Sequence, residues 1–493
     1  MNDLQDFPQI SALIEDEALK NEQLFLKTHF AKLVVAEFKA KFRAENQAQS
    51  HENSQNLELN LENSQNLNLK NSKNSQNLDL KNSKNSAKNS PKTRQNSSQN
   101  TLKKALVAEI LAKIAEFKAK DYKSLINATG VVIHTNLGRS LIDESAFCAC
   151  KDLACGYFNL EFDLQSGKRG DRQGAVLEKF KLAFGAQDAL VVNNNAAAVF
   201  LVLNTLAAGR EVITSRGELV EIGGSFRVPE VMRQAGAKLV EIGTTNKTRL
   251  ADYESAISCD TALLLKTHKS NFAFKGFYEE VPLSELYALS RRAKVPLYYD
   301  LGSGWCGKMP VELVKGEPSI KELLAHCDLL SFSGDKLFGS TQAGVILGKK
   351  ELIERLKSNQ ILRMLRVDKL TLVLLNEALR AYLGKEFEKI PTLKMLNESA
   401  QSVKERALRV QRGIKIKCEL KESKSLVGGG SMPDKTLQSF VLAFFGEPLA
   451  LQARFRGLGI IGRVENERFV LDFRTILERD LDKICALINE EFE

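Results

Sequence analysis

The residues with the clearest chemical potential are a lysine and an aspartate that each follow a short apolar segment. Lys336 lies in the glycine-bounded loop 331–339, directly after the apolar residues 327–330, and Asp300 closes the apolar segment 295–299. A lysine amine attacks an aldehyde when burial or a neighbouring positive charge keeps part of it unprotonated. Lys336 is therefore a candidate for imine formation, and a solvated loop lysine is the alternative.

An aspartate and a lysine at the ends of two strands have the arrangement that pyridoxal phosphate chemistry requires. This cofactor is an electron sink that is bound to a lysine as a Schiff base, while a carboxylate keeps its ring nitrogen protonated. We therefore predict pyridoxal 5'-phosphate as the cofactor, with Lys336 as the Schiff-base lysine, Asp300 as the partner of the ring nitrogen and Ser333 beside them. An aspartate that only caps a turn is the alternative for Asp300.

The cofactor phosphate needs a site of its own, and a run of asparagines supplies a candidate. Asn193, Asn194, Asn195 and Ala196 follow the predicted strand 189–192 and open an apolar helix. The first turn of a helix presents free N–H groups and the positive end of the helix dipole, which together bind a phosphate dianion. A plain Asn-rich helix cap is the alternative.

Three arginines and two histidines complete the candidate site. Arg139 follows a tight turn, and Arg363 and Arg366 are predicted to share one helix face at i and i+3. Guanidinium groups bind phosphate-like oxyanions through two parallel hydrogen bonds, although a solvated basic helix face fits the spacing equally. His134 and His268 adjoin apolar segments, so each could stack on a pyridine ring, act as an acid or base, or be a buried core histidine.

Composition and charge restrict the class of protein. The chain has 493 residues and a formal net charge of +9, which permits a polyanionic partner without demonstrating one. No apolar stretch reaches the roughly 18 residues of a membrane span, and residues 1–10 contain acids where a signal peptide has bases. We therefore predict a cytoplasmic protein with no membrane contact. The eight dispersed cysteines predict reduced thiols, with no disulfide framework and no metal site.

The order of apolar segments predicts the architecture. Short apolar strands alternate with helices, which is typical of an α/β fold with a mostly parallel sheet covered by helices on both faces. The predicted strands of this large domain, residues 124–385, are 189–192, 211–214, 238–242, 262–266, 295–299, 328–331 and 343–347. Residues 386–493 form a predicted small α+β domain.

A helical N-terminal domain, residues 1–123, is predicted from apolar residues at helical spacing in 24–42 and 102–117. The Asn/Ser-rich repeats in 47–100 interrupt it. Such composition buries too little apolar surface to offset the entropy of ordering, so we predict a disordered insertion. A loose electrostatic grip of its lysines on nucleic acid is the alternative role.

Long motifs in this sequence resemble one family closely. The segments that carry the resemblance are 126–139, 166–170, 191–198, 216–227 and 333–337, in this order along the chain. They are similar to bacterial L-seryl-tRNA(Sec) selenium transferase, also called selenocysteine synthase. The resemblance runs from about residue 7 to the C-terminus, apart from the Asn-rich tract.

The resemblance implies a fold-type I pyridoxal phosphate enzyme that converts seryl-tRNA(Sec) to selenocysteinyl-tRNA(Sec) with selenophosphate as donor. It further implies a homo-oligomeric ring of dimers, expected to be a decamer, with active sites at dimer interfaces and an N-terminal domain that grips the tRNA. By motif, Lys336 is the Schiff-base lysine, and Arg139, Arg363 and Arg366 bind the selenophosphate anion. The tract 47–100 departs from the family pattern within the expected tRNA-binding domain.

The expected reaction is a β-replacement. Lys336 removes the Cα proton, loss of the β-hydroxyl leaves a dehydroalanyl intermediate, and selenium adds at the β-carbon. A tRNA ester masks the α-carboxylate, so no arginine is needed for it. Two alternatives remain open at this stage: a β-eliminating or β-replacing enzyme that acts on a free amino acid, and a non-catalytic tRNA-binding protein.

Overall fold

The computed structural model of the chain describes residues 7–67, 91–219, 221–222, 226–270, 272, 274, 276–429 and 431–493. Residues 68–90 of the predicted disordered tract and residues 223–225 of the motif at 216–227 lie outside this set. The chain divides into two units, Met1–Lys123 and Ser124–Glu493.

The described residues of the first unit include the α-helices α1 (Ile10–Ile14), α2 (Leu24–Leu67) and α3 (Pro91–Ala119). Both helices expected here are confirmed, because α2 and α3 pack through buried residues such as Val34 and Ile110. The structure differs from the predicted disorder of 47–100 in two stretches, since the backbone is helical through residue 67 and again from residue 91. Once packing has fixed the first turns of a helix, further turns form without a new nucleation cost.

The second unit contains two main sheets. Its strands are β1 (Ile126–Asn127), β2 (Val131–Ile133), β3 (Asp188–Val192), β4 (Glu211–Ser215), β5 (Glu221–Ile222), β6 (Phe226–Arg227), β7 (Lys238–Ile242), β8 (Thr261–Thr267), β9 (Leu297–Gly302), β10 (Leu329–Ser333), β11 (Gly344–Gly348), β12 (Cys418–Gly428), β13 (Ser431–Phe444), β14 (Ile460–Ile461), β15 (Arg463–Glu465) and β16 (Arg468–Asp472).

Its helices join these strands or cover the sheets. They are α4 (Glu144–Ala154), α5 (Gly174–Phe184), α6 (Asn195–Ala207), α7 (Val228–Gln234), α8 (Leu250–Ala256), α9 (Leu283–Ala293), α10 (Val311–Val314), α11 (Ile320–Leu324), α12 (Lys350–Ser358), α13 (Lys369–Gly384), α14 (Pro391–Asn397), α15 (Ala400–Gly413), α16 (Pro448–Gly457) and α17 (Leu481–Glu491).

The larger sheet has seven strands in the order β3-β11-β10-β9-β8-β4-β7. All neighbouring strands are parallel except β11, which runs antiparallel to β3 and β10. Side chains alternate between two cores, so that Val212 on β4 faces one core and Ile213 faces the other. The predicted α/β fold with a mostly parallel sheet buried on both faces is confirmed, and each of its seven predicted strands is present.

The smaller sheet joins residues from both ends of the unit. Its order is β15-β16-β13-β12-β2, and β2 pairs in parallel with β12 through Val131 and Leu426. The strand β1 also pairs in parallel with β14. Residues 126–133, which we expected in the large domain 124–385, therefore pair with strands of the expected C-terminal domain 386–493. This pairing explains why residues 124–493 form one unit.

Two further observations concern the described residues as a whole. Within them, no helix combines the length and the apolar composition that crossing a membrane requires. All eight cysteines lie among the described residues and are free thiols, which agrees with the absence of a disulfide framework predicted above.

A buried aspartate holds the smaller sheet together. Asp472 on β16 is fully buried and accepts hydrogen bonds from the hydroxyls of Ser425 and Ser439, at 2.9 and 2.6 Å. It also accepts from Arg463 Nη1 at 2.8 Å and from the backbone N–H of Arg474 at 3.0 Å. Four donors on separate segments thus depend on one carboxylate.

We predict that Asp472→Ala destabilises this unit by about 3 kcal/mol or more, because it leaves the buried hydroxyls of Ser425 and Ser439 without their acceptor and removes one of the two carboxylates that pair with Arg463. Urea unfolding of the variant measures the loss. Glu419→Ala is the matched control on the same sheet, since Glu419 pairs with Arg468 at the exposed surface and its loss should cost less than about 1 kcal/mol. Equal losses in the two variants would contradict the assigned role of Asp472.

Candidate active site

A cavity of about 280 Å³ lies at the carboxyl ends of the parallel strands. Strands β8, β9 and β10 and the start of α6 all end or begin there, which is where open α/β sheets bind ligands. The lining residues are Arg139, Asn194, Asn195, Ala196, Thr267, His268, Ser270, Asp300, Leu301, Gly302, Ser333, Asp335, Lys336 and Gln342. The cavity therefore brings together most of the residues predicted from sequence.

Lys336 lies in the turn after β10, and its backbone is fixed on both sides. The carbonyl of Lys336 accepts hydrogen bonds from Ser140 Oγ at 2.6 Å and from the N–H of Gly339 at 2.9 Å. The next residue, Leu337, donates its N–H to the carbonyl of Ser303 at 3.0 Å. Lys336 is buried, and it lines the cavity.

The surroundings of Lys336 lower the pKa of its amine below that of a solvated lysine. Burial lowers the pKa of Lys336, and the positive charge of Arg139 lowers this pKa further, against the opposing charges of Asp300 and Asp335. The Arg139 guanidinium also forms an ion pair with Asp335 at 2.9 Å. A neutral amine is the form that attacks an aldehyde, so the predicted imine chemistry fits this environment.

Asp300 lies near the end of β9, and its carboxylate is buried with defined donors. Its Oδ1 accepts from Asn195 Nδ2 at 2.8 Å and from Ser331 Oγ at 3.3 Å, and Ser331 is bonded in turn to the Tyr298 hydroxyl at 2.6 Å. Burial raises the pKa of Asp300, while these hydrogen bonds and the charge of Lys336 act in the opposite direction. A cationic ring nitrogen beside this carboxylate would favour its ionised form.

The start of α6 forms the third part of the cavity. Asn194 caps the helix, since its side chain accepts the N–H of Ala197 at 2.8 Å, and Asn194, Asn195 and Ala196 line the cavity. Asn193 does not line it. The backbone of Asn193 supports the turn instead, donating its N–H to the carbonyl of Leu365 at 3.1 Å.

Of the two histidines considered, His268 lines the cavity and His134 does not. Burial lowers the pKa of His268 to about 4, so its ring is neutral near pH 7. His134 precedes the turn that bears Arg139, and its carbonyl accepts the N–H of Arg139 at 3.0 Å. His134 is therefore a residue that shapes the Arg139 turn.

The three arginines are divided between two cavities. Arg139 lines the cavity of Lys336, whereas Arg363 and Arg366 line a second cavity of about 440 Å³ together with Glu161 and Arg172. The prediction that Arg363 and Arg366 share a helix face is wrong.

The two arginines lie in an irregular link between helices. Arg363 ends a 3₁₀ turn, and α13 begins only at Lys369. The Asn359 side chain accepts the N–H of Ile361 and starts that turn, and the Asp368 carboxylate accepts the N–H of Leu370 and starts α13. These caps interrupt the helical spacing.

The residues of the cavity fit pyridoxal phosphate. A lysine suits its aldehyde, a buried aspartate suits its ring nitrogen, and a capped helix start suits its phosphate. Polar atoms around the cavity are also buried without a hydrogen-bond partner in the described part of the chain. These atoms are Asn195 Oδ1, Thr267 Oγ1, His268 Nδ1 and Asp335 Oδ1. Such groups are stable when a polar ligand supplies their partners.

Comparison with known proteins decides the family. A sequence model described as SelA: L-seryl-tRNA selenium transferase matches residues 125–477. The chain belongs to this selenium transferase family. An L-seryl-tRNA(Sec) selenium transferase of Campylobacter lari is 55% identical over 492 residues, covering 100% of both chains. One from Campylobacter concisus is 43% identical over 493 residues, again covering 100% of both. The family resemblance stated from the motifs is confirmed.

A solved structure bears on the fold alone. D-glucosaminate-6-phosphate ammonia-lyase matches with a TM-score of 0.56 at 20% sequence identity, over 76% of this chain and 97% of that chain. This likeness extends over most of the second unit and agrees with its α/β architecture.

Sequence reasoning missed several residues in or beside the selenium transferase cavity. Ser331 binds Asp300 because β9 and β10 pair with these two residues opposite each other. Thr267 lines the cavity one residue before His268, and Glu317 lies 3.6 Å from the His268 ring. The apolar segments that precede Asp300 and Lys336 are visible in the sequence. No pattern in the sequence, however, predicts that β9 pairs with β10.

We predict that Arg139→Gln raises the pKa of Lys336, because the variant removes the nearest positive charge and frees Asp335 from its ion pair. Reductive methylation with formaldehyde, followed by mass spectrometry of the Lys336 peptide, should reach half its maximal rate at a higher pH than in the unaltered chain. Arg233→Gln, on the exposed helix α7, is the control. An unchanged or lower midpoint in Arg139→Gln would show that Arg139 does not act on the amine.

Proposed function

We propose that this chain converts L-seryl-tRNA(Sec) into L-selenocysteinyl-tRNA(Sec), with pyridoxal phosphate as cofactor and selenophosphate as selenium donor. The observation that carries the proposal is the joint placement of Lys336 and Asp300 in one cavity of a chain that is 55% identical over its whole length to a named L-seryl-tRNA(Sec) selenium transferase. Because charged tRNA is the substrate, the protein acts in the cytoplasm.

Each group of the cofactor has a proposed partner. Lys336 would hold the aldehyde carbon, Asp300 the ring nitrogen, and the start of α6 with Asn194 and Ala196 the phosphate, while His268 and Ser333 line the same cavity. The bound cofactor supplies an electron sink for the bond that breaks at the substrate Cα.

The protein itself moves the proton. Burial and Arg139 keep the Lys336 amine available as a base, so Lys336 takes the proton from the serine Cα and returns it after the replacement. The Cβ–O bond breaks and water leaves, and a Cβ–Se bond forms as the P–Se bond of the donor is hydrolysed. The carboxylate of the substrate is esterified to tRNA, so no arginine is needed to bind it. Arg139 is then available to bind the donor anion.

The donor site requires a second copy of the chain in this proposal. Arg363 and Arg366 line a cavity different from that of Lys336 and Arg139, so they reach a Lys336 cavity only from a neighbouring subunit. Large apolar side chains that are exposed on α4, on α5 and on the segment joining them support a homo-oligomer. They are Phe147, Tyr157, Phe162, Leu164 and Leu182. We propose a ring of dimers, with active sites at the dimer interfaces.

The tRNA is assigned to the helical first unit. Exposed basic residues on α2 and α3 suit the phosphate backbone of a nucleic acid. Examples are Lys32, Lys41, Arg43 and Lys104.

We predict that Lys336→Ala abolishes both the visible absorbance that the protein acquires with pyridoxal phosphate and the formation of selenocysteinyl-tRNA. The reason is that this variant has no amine to bind the aldehyde. The assay incubates the full chain with seryl-tRNA(Sec) and selenophosphate and identifies the amino acid released from the tRNA. Lys385→Ala, an exposed lysine, should behave as the unaltered chain does. A free-amino-acid enzyme would instead turn over serine without tRNA.

A mixing experiment tests whether subunits share the site. Lys336→Ala and the double variant Arg363→Ala, Arg366→Ala should each be inactive alone. Random mixed oligomers formed by co-production should regain about a quarter of full activity, because some sites combine an intact lysine with intact arginines from the neighbour. The amount recovered is measured as selenocysteinyl-tRNA formed per mole of subunit. No recovery in verified mixed oligomers would place Lys336, Arg363 and Arg366 of each site in one subunit.

A further inference from the structure

A buried glutamate outside the cavity contacts both sides of the Lys336 site. Glu317 lies just after α10, and its side chain is only 8% exposed. One carboxylate oxygen, Oε1, accepts a hydrogen bond from Ser303 Oγ at 2.8 Å, and the other, Oε2, lies 3.6 Å from His268 Nε2. A carboxyl group is rarely buried to this degree unless it is paired with other polar or charged groups.

The contact between Glu317 and Ser303 connects Glu317 to the turn of Lys336. Ser303 is fully buried, directly after β9, and its carbonyl accepts the N–H of Leu337 at 3.0 Å. Leu337 follows Lys336 in the chain. A hydrogen bond from Ser303 to Glu317 therefore fixes the segment that holds the Lys336 turn.

The contact between Glu317 and His268 connects Glu317 to the ligand cavity. His268 lines the cavity, its backbone N–H donates to the carbonyl of Asp300 at 2.8 Å, and its Nδ1 is buried with no hydrogen-bond partner among the described residues. The 3.6 Å separation from Glu317 is within ion-pair range and slightly longer than a hydrogen bond. Contacts of this kind commonly shorten when a ligand fills the site.

We propose that Glu317 is a positioning residue: its two carboxylate oxygens fix the His268 ring and the Ser303 segment on either side of Lys336, and through Nε2 it selects which His268 nitrogen carries the proton. The inference rests on the proposed function only for the identity of the ligand. A protonated Glu317 donates to Nε2 and leaves an N–H at Nδ1, which suits an anionic ligand. An ionised Glu317 accepts from Nε2 and leaves Nδ1 bare.

The surroundings of the pair place the loss of the Glu317 proton near neutral pH, where the His268 ring is uncharged. Burial raises the pKa of Glu317 to about 7, with the Ser303 hydrogen bond and Lys435 acting against it and Asp434 acting with it. His268 faces Glu280, Lys266, Lys269 and Lys336, of which only Glu280 favours its charged form. As the pH rises through about 7, Glu317 loses its proton and His268 loses its donor at Nδ1.

The test compares cofactor affinity across pH in full-length variants. For the unaltered chain we expect the dissociation constant of pyridoxal phosphate to rise about tenfold through a step centred near pH 7, the effect of one hydrogen bond to a charged group. In Glu317→Gln the amide oxygen still accepts from Ser303, and its NH₂ can only donate to Nε2. This variant should therefore keep the tighter affinity at both ends of the range and lack the step.

A double-mutant cycle separates positioning from general structural damage. Glu317→Gln should have no further effect in a chain that already carries His268→Gln. Ser303→Ala should retain the step, since it leaves the contact with His268 in place. Glu312→Gln, an exposed glutamate on α10, is the matched control and should retain it too. Melting temperatures of all variants show that each is folded.

Two outcomes overturn the inference: a step near pH 7 that persists in Glu317→Gln, or an effect of Glu317→Gln that is additive with His268→Gln. Failure of the proposed function has a different signature. In that case the unaltered chain and Glu312→Gln bind the cofactor with the expected step, yet form no selenocysteinyl-tRNA.

Discussion

The pairing of β9 with β10 is the constraint on which the site depends. Parallel strands end at the same edge of a sheet, so this pairing brings the Asp300 carboxylate and the turn of Lys336 to one buried cavity. Two ionisable groups taken out of water are stable only with defined partners. Asn195 and Ser331 donate to Asp300, and the ion pair of Arg139 with Asp335 sets the charge beside the lysine.

A second layer of buried polar groups stands behind the cavity. Lys266 forms an ion pair with Glu218 at 3.1 Å, and the other oxygen of Glu218 accepts the N–H of Thr267 at 3.0 Å. The end of β8 is thus held from one side by Glu218, while Glu317 contacts His268 from another. Two wall residues, Thr267 and His268, therefore contact buried carboxylates as well as apolar neighbours.

The smaller sheet contributes to the same site. Strand β2 is paired with β12 and leads directly into the turn of His134 and Arg139. The position of Arg139 in the cavity therefore depends on a sheet whose other strands lie near the C-terminus. The C-terminal strands thus help to position Arg139, although none of their described side chains lines the cavity.

The sequence by itself determined the α/β class, the seven strands and the family, and it singled out Lys336 and Asp300 as candidates, because apolar periodicity and long motifs are local properties of a chain. Only the tertiary structure decided three other matters. It placed Arg363 and Arg366 in a separate cavity, since caps at Asn359 and Asp368 interrupt the helix that their spacing suggested. It assigned residues 126–133 to the smaller sheet, because strand pairing between distant segments leaves no local pattern. It also set Ser331 and Glu317 beside the site, through registers and loop packing that depend on the whole fold.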